Sequence, residues 1–389
     1  MHLHDEPQTA SFRDEVRAWL DANAGSSPSV HTGFGEEQVS AWRDWSRRLY
    51  DAGFVGLTWP QEFGGRGLAP AYEAIWLEES ARAGVPGPLG IIGLGMAGPT
   101  IIGWGSEQQQ ARYLEPLLRC EEIWCQGFSE PDSGSDLASV RTRARREGEE
   151  WVVNGQKVWS SFAHLADWCI LLVRSDPDSS AHAGLSYLLL DMNAPGVEVQ
   201  PLPQLTGDAE FNEIFLTDVR VPVESMLGQP GDGWKVAMTT LSHERGTHGI
   251  KLAAELEVNL ADATRTLAMA AGGSIEDPFL KDELSELWVE VQALRMTNLR
   301  SLSELARRGT PGPESTISKL RWSELNQRLA ALVESELGPA GLELGEEGIE
   351  AGRWPFARLR ARGNSIEAGT SEVLRNIIAE RVLGLPRSR

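Results

Sequence analysis

Cysteine is scarce in this sequence: three residues, Cys120, Cys125 and Cys169, in a chain of 389. An odd, sparse set excludes a disulfide scaffold and fits a reducing compartment, where such cysteines serve as small apolar fillers. Nothing near Cys120 and Cys125 completes a metal set, so no metal site is expected. Basic charge is also short, with 36 Lys plus Arg against 56 Asp plus Glu, a net charge of −20. A surface of that sign repels polyanions and argues against nucleic acid and anionic membranes as partners, while leaving room for one local pocket around a small anion. Long hydrophobic runs are missing: no stretch reaches the roughly eighteen apolar residues of a membrane span. The opening MHLHDEPQTASFRDEV is acidic and has no apolar segment, so it does not read as a secretory signal, and a cytoplasmic location is expected. Repeats and low-complexity tracts are absent as well.

What is present divides into three stretches. The length suggests two or three domains. SFRDEVRAWLDAN opens with Ser11 and Asp14 at a capping-box spacing and sets Phe12, Val16, Trp19 and Leu20 on one face. EEQVSAWRDWSRRLYDAG repeats the pattern through Val39, Trp42, Trp45 and Leu49 and stops at Gly53. AYEAIWLEESARAG and SEQQQARYLEPLLRC are further helix candidates. From residue 123 short apolar, β-branched runs take over. Asn154-Gly155 between two of them predicts a type I′ hairpin, and DWCILLVRSD, GLSYLLLDM, GVEVQPL and FNEIFLTDVRVP read as antiparallel strands. Beyond Gly233, helical segments over 233–271, 277–308, 313–337 and 371–384 predict an antiparallel bundle. The expected organisation is therefore α+β, with an α-domain (1–122), a β-domain (123–232) and an α-bundle domain (233–389).

Four motifs invite a chemical reading. GLGMAG, from Gly93 to Gly98, matches a dinucleotide fingerprint, but that fingerprint needs a strand–turn–helix unit and a parallel βαβ series, which this pattern lacks. Packing glycines between helices are the better account. WCQGFSEPDSGSDLAS, over 124–139, is dense in small and hydroxyl residues that let backbone N–H groups approach a ligand's oxygens; a plain turn would have the same composition. In KVWSSFAHLADW, Trp159 stands beside two serines, either as core or as an aromatic wall for a flat heterocycle. TTLSHERGTHGIK carries His243, Glu244, Arg245 and His248 with Gly246 and Gly249 inside a helical pattern, where each glycine costs about 1 kcal/mol relative to alanine. Retained there, they point to close packing or a ligand rather than to a solvated face. The two histidines lack a third metal ligand.

Taken together these stretches resemble the acyl-CoA dehydrogenase family. QGFSEPDSGSD is similar to its F-x-x-T-E-P-x-x-G-S-D element, WVVNGQKVWSSFAHLADW to its N-G-x-K-x-W-I-T segment, FLTDVRVPVESMLGQPGDGWKVAMTTL to its D-V-x-V-P…L-G…G segment, and GTSEVLRNIIAERVLGLPR to its C-terminal helix. The likeness covers nearly the whole chain in order. It implies an N-terminal helical domain, a middle antiparallel β-domain and a C-terminal four-helix bundle, with FAD as cofactor and an acyl-CoA thioester as substrate. Gln126, Phe128, Ser129, Ser135, Trp159, Ser161, Gly369, Thr370 and Glu372 would contact FAD; Ser135, Leu241, Ser242, Arg245 and Ala368 would line the acyl-CoA cleft.

The resemblance also bears on the base. Medium- and short-chain members carry it just before Gly-Thr, where this chain has Ala368, with Glu367 one residue early. Isovaleryl- and long-chain-type members carry it on a bundle helix directly before an arginine, which corresponds here to Glu244-Arg245. Glu244 is thus the expected catalytic residue, taking the α-proton while the β-hydrogen leaves as hydride to flavin N5. Burial against flavin and acyl chain would raise its pKa, and the Ala368 N–H with a ribityl hydroxyl would polarise the thioester. Electron-transfer flavoprotein is the implied acceptor. The family's R-x-x-F-G element is absent, AAGGSIEDPFLKDELSEL standing in its place, and its Q-x-x-G-G turn is replaced by SELGPAG. Dimeric and homotetrameric assemblies are open, and so is an α2β2 heteromer in which a non-identical partner completes the FAD site. An oxidase or monooxygenase of the same fold, a non-catalytic subunit and a plain helical interaction module are the competing readings.

Overall fold

A computed structural model describes residues 5–29, 35–179, 181–244, 247–309, 312 and 315–386, with Glu244 described by its backbone alone. In chain order the helices are α1 (Pro7–Asn23), α2 (Glu36–Asp51), α3 (Pro70–Arg82), α4 (Gly98–Trp104), α5 (Glu107–Leu118), α6 (Gly233–Glu244), α7 (His248–Ala270), α8 (Pro278–Arg308), α9 (Ser315–Leu337), α10 (Arg353–Arg360) and α11 (Ser371–Ile377). Between α5 and α6 run the strands β1 (Trp124–Gly127), β2 (Arg143–Glu147), β3 (Glu150–Ser161), β4 (Trp168–Arg174), β5 (Leu185–Asp191), β6 (Val197–Leu202), β7 (Phe211–Pro222) and β8 (Met226–Leu227). The chain divides into two compact units: one of residues 1–25, 69–85 and 245–389, the other of residues 26–68 and 86–244.

The second unit is built on an eight-stranded sheet ordered β6-β7-β3-β2-β4-β5-β8, with β1 paired to β4. β4 and β5 are buried along almost their whole length, as expected of interior strands written as unbroken apolar runs. Val153, Leu171, Val173, Leu188, Leu190 and Ile214 form the centre of the sheet's core. The pairing is not wholly antiparallel. β1 runs parallel to β4, with Cys125 opposite Cys169, because the chain crosses over through β2 and β3 before returning. All three cysteines are free and buried, in keeping with their role as fillers.

Asn154-Gly155 is not a hairpin turn. The reversal between β2 and β3 falls at Glu147–Glu150, where Gly148 takes φ +63°, and Asn154-Gly155 sits in mid-strand at a register shift against β7. Its asparagine bonds Asp218 twice across the strands, at 2.9 Å each way. Its glycine answers a close approach: a Cβ there would lie 2.5 Å from Thr142 Oγ1 and 2.7 Å from Thr142 Cα. Nor does Ser11 cap a helix; α1 starts earlier, at Pro7, a residue suited to a first helical position. A capping box stands instead at α5, where Ser106 N donates to Gln109 Oε1 (2.8 Å) and Gln109 N to Ser106 Oγ (3.2 Å). The Gln109 amide further holds the Glu224 and Met226 carbonyls, at 2.7 and 3.0 Å, tying α5 to the approach to β8. GLGMAG is helical throughout and packs: a Cβ on Gly98 would enter the Trp59 ring at 2.2 Å, and one on Gly93 would press on Leu117 and Trp124.

The first unit is helical. Its core comes from Leu256, Leu260, Ala263 and Leu267 of α7, Leu284, Leu287, Val291 and Leu294 of α8 and Leu325, Leu329 and Leu332 of α9, each set at helical spacing. The segment expected as one helix over 233–271 is two, α6 and α7, with α7 opening after Thr247. Gly249 lies inside α7 because a Cβ would come 2.9 Å from Asn298 Oδ1, and Asn298 Nδ2 donates to its carbonyl at 2.7 Å. After α11 the last helix continues as a π-turn over Ile378–Val382. In α1 and α3 a charge cluster forms: Arg17 Nε donates to Glu79 Oε2 (2.8 Å), Arg13 to both Glu78 and Glu79, and Arg82 and Arg295 to Glu78. Among the described residues no helix is long and apolar enough to cross a membrane, and no group of three or more His, Cys, Asp or Glu is placed to hold a metal.

Two outcomes follow. Gly155→Ala is expected to destabilise by about 1–3 kcal/mol through overpacking against Thr142, and Gly148→Ala, which meets open space but sits in the left-handed region, by about 1–2 kcal/mol through backbone strain; urea unfolding measures both. Burial alone would raise the Glu79 carboxyl, but Arg17 and Arg13 hold it below its ordinary value of 4.5. The stability it contributes is therefore present above that value and lost as pH falls through the depressed one. Glu79→Gln should lower stability near neutrality and flatten the acid limb of a pH–stability curve.

Candidate active site

The sheet unit carries the first set of candidate residues. β1 delivers Gln126, half-buried, and then Phe128, whose ring is buried edge-on against Tyr187 at 5.8 Å, so its backbone and that of Ser129 are what it can offer to a ligand. Ser135 is exposed in the loop beyond. On β3, Lys157 and Val158 are both buried and the register against β7 slips before Ser160. The slip turns Trp159 outward: it is 60% exposed, in the left-handed region at φ +61°, with its indole edge-on to Phe211 at 6.0 Å. A bulky side chain at positive φ costs on the order of 1–3 kcal/mol and persists where its surroundings over-determine it. Ser161 follows, half-buried, and the buried Ser160 hydroxyl has no hydrogen-bond partner.

The main feature that motif reading passed over lies between these segments. Lys157, wholly buried, donates to the Phe128 carbonyl at 3.0 Å and to Glu130 Oε1 at 2.8 Å. Glu130 also accepts the backbone N–H groups of Arg141 and Thr142, at 2.6 and 2.9 Å. Burial would push its carboxyl up, but Lys157, Thr142 and Arg141 hold it below the ordinary carboxylate value, while burial brings the Lys157 ammonium down against the pull of Glu130. Both residues stand inside the motifs quoted above, and the signal available was the lysine itself, charged in a strand that otherwise reads as core.

Helix α6 brings Leu241, half-buried, Ser242, exposed with its hydroxyl on the Thr239 carbonyl, and finally Glu244. The helix is pinned to the sheet unit by hydroxyls. Tyr187 and Thr240 bond at 2.9 Å, Thr240 and Thr100 at 2.9 Å, and Trp104 donates to Thr239 at 3.0 Å. A Cβ on Gly233 would lie 2.5 Å from the β5 backbone, so the helix starts directly on that strand. The Glu244 side chain, Arg245 and Gly246 lie outside the described residues.

The helical unit carries the second set. Glu367 is committed: Arg360 donates to both of its oxygens, at 3.2 and 3.0 Å, and Asn364 Nδ2 to Oε1 at 2.8 Å. Asn364 is itself held by Asn326 and Ser323 of α9. Ala368 and Gly369 then take positive φ, +52° and +94°, and reverse the chain into α11. Ala368 is exposed and its N–H has no acceptor among the described residues. Lys319 holds the Gly369 carbonyl at 2.8 Å; Thr370 caps α11 through Val373 N at 3.3 Å; Glu372 is exposed. One carboxyl bonded to the residue just before α7 departs from its ordinary value. Burial raises the Glu73 carboxyl, against a 2.8 Å bond from the Thr247 hydroxyl.

These residues suit a flavin. The open indole at a strained bulge, with the half-buried Ser161 close behind it on the strand, matches a flat ring with a polar edge. Where the family's R-x-x-F-G would fall, α7 ends in a turn at Gly272 and Gly273, and α8 opens on Asp277, which caps Phe279 N.

Comparison with known proteins agrees with this architecture. Family models described as the acyl-CoA dehydrogenase N-terminal, middle and C-terminal domains match residues 6–121, 125–219 and 231–383. The chain is 42% identical to acyl-CoA dehydrogenase IpdE1 of Mycobacterium tuberculosis, across 97% of each protein. It is 38% identical to FadE34 of the same organism, over 97% of this chain and 51% of that protein. Among solved structures, the Tcur3481-Tcur3483 steroid ACAD superposes with a TM-score of 0.88 at 30% identity, over the whole of both chains. A chain of the ChsE4-ChsE5 complex from Mycobacterium tuberculosis gives 0.84 at 27%, again over both whole chains. With its helical–β–helical order matched from end to end, the chain belongs to the acyl-CoA dehydrogenase family, a family of flavin-dependent oxidoreductases.

Proposed function

We propose that this protein oxidises an acyl-CoA thioester to the trans-2-enoyl-CoA, with FAD as cofactor and Glu244 as the base that takes the α-proton. The observation that carries the choice of base is the bonding of Glu367: a carboxylate already holding three hydrogen bonds from Arg360 and Asn364 is not free to turn toward a substrate. Glu244, at the end of a helix pinned through Thr239 and Thr240, is the remaining carboxylate at a position the family uses. Ala368, with its unspent N–H, polarises the thioester carbonyl and stabilises the charge that develops on it as the α-proton leaves. Arg245 orients the base or the cleft, and Leu241, Ser242 and Ser135 line it.

Trp159 and Ser161 from β3, Gln126, Phe128 and Ser129 from the β1 loop, and Gly369, Thr370 and Glu372 at α11 hold the flavin. When bound, FAD supplies a hydride acceptor for the β-hydrogen. The small Ala368, where medium- and short-chain members carry their glutamate, leaves room near the reacting carbons, and the likeness to a steroid ACAD supports a bulky polycyclic acyl group. The relatives solved as two-protein assemblies, and the acidic turn in place of R-x-x-F-G, support an α2β2 heteromer in which a non-identical subunit completes FAD binding. The three-part division at residues 122 and 232, electron-transfer flavoprotein as acceptor and a cytoplasmic location belong to the same reading.

A ferrocenium-coupled assay across straight, branched and steroid-side-chain acyl-CoAs tests it. Glu244→Gln should lower kcat by about 10²–10⁴-fold, and Glu367→Gln by less than about tenfold; the reverse order would move the base to Glu367. Oxygen uptake matching dye reduction would indicate an oxidase instead. Purified alone, the chain should hold FAD substoichiometrically, and full occupancy with full turnover would rule out the heteromer.

A further inference from the structure

We propose that the buried Lys157–Glu130 pair is a positioning device: it holds the two flavin-facing segments of the sheet unit in register and keeps Trp159 in its outward, left-handed conformation. The proposal rests on the reading of Trp159, Phe128 and Ser129 as flavin contacts.

Three bonds join Phe128, Ser129 and Glu130 to Lys157 and Val158. Lys157 Nζ reaches the Phe128 carbonyl and Glu130 Oε1, at 3.0 and 2.8 Å, and between them Val158 N donates to the Ser129 carbonyl at 2.9 Å. Glu130 extends the tie to the start of β2 through Arg141 N and Thr142 N, and its own backbone closes a reciprocal pair with Ser133, at 2.8 and 3.0 Å. One carboxylate thus ties the end of the β1 loop, β2 and β3 together.

The same pair bears on the bulge. In an uninterrupted strand side chains alternate, so Trp159 would share the inward face of Lys157. Lys157 cannot yield that face, since turning outward would leave Glu130 buried without its cation. On the far side of the slip Asn212 Nδ2 holds the Ser160 carbonyl at 3.1 Å. Fixed at both ends, the strand accommodates its extra residue at Trp159, and the indole is turned outward. Gly127 leaves the room this requires: a Cβ there would meet Leu171, Cys169 and the Lys157 stem at 2.8, 2.9 and 3.5 Å.

The double variant Lys157→Met/Glu130→Gln removes both charges together, which avoids an orphaned buried ion. Amide hydrogen exchange on the full chain without added flavin is the first readout. Peptides over 126–135 and 157–162 should exchange at least about tenfold faster, while those of β5 and β7 remain as in the wild type. The second readout is FAD affinity, in the complex if a partner is required; it should fall at least about tenfold while the KM for acyl-CoA at saturating FAD stays within about twofold. Should the double variant fail to fold, Glu130→Gln alone, which loses the anion but keeps an acceptor for Lys157, is measured in the same way. Unchanged local exchange together with unchanged FAD affinity overturns the proposal. If wild-type protein takes up no flavin, the flavin reading fails, and the exchange experiment still decides whether the pair positions the two segments.

Discussion

A wholly buried ammonium is the constraint around which the sheet unit is arranged. Taking Lys157 out of water costs several kcal/mol after relaxation, and only an ionised, well-bonded partner offsets that. Glu130 meets the condition by accepting from Lys157 and from two backbone N–H groups, and it can do so only if the loop after β1, the start of β2 and the middle of β3 converge on one point. Such a pair adds little net stability compared with an apolar substitute. Its effect is to exclude alternative registers, since any slip would bury one charge alone.

The helical unit handles a carboxylate in the opposite way. Glu367 is the residue that first draws attention, lying beside Gly-Thr at the head of the last helix. Its oxygens are taken by Arg360 and Asn364, and Asn364 is anchored on α9. The carboxylate therefore braces the loop, and what the loop presents is backbone: an alanine and a glycine at positive φ, with no acceptor for the Ala368 N–H among the described residues. With the base on α6, as proposed, this loop would be free to carry a small residue where a bulky one would narrow the cleft.

Much of the fold was legible in the sequence. Periodicity located most helices and four of the strands, because a face buried in a core repeats at 3.6 or 2 residues whatever it packs against. It failed where a local signal had a tertiary cause. Asn154-Gly155 has the composition of a hairpin turn, yet its asparagine serves Asp218 and its glycine makes way for Thr142, and both partners are remote in sequence. Ser11 and Asp14 have capping-box spacing, but Pro7 starts the helix earlier. The break after α6 was hinted at only by glycines that also suit close packing.

The sequence by itself determined the class of the protein: the order of helical and β stretches and a set of spaced motifs pointed to one family, and the family models and whole-chain relatives bear that out. It also determined which side chains could carry chemistry. Tertiary structure alone decided which of them are spent. That Lys157 is a buried tie depends on partners 29 and 27 positions away, and that Glu367 is a brace depends on how the loop folds Arg360 and Asn364 back onto it, since no local pattern encodes whether a charge has found its partner.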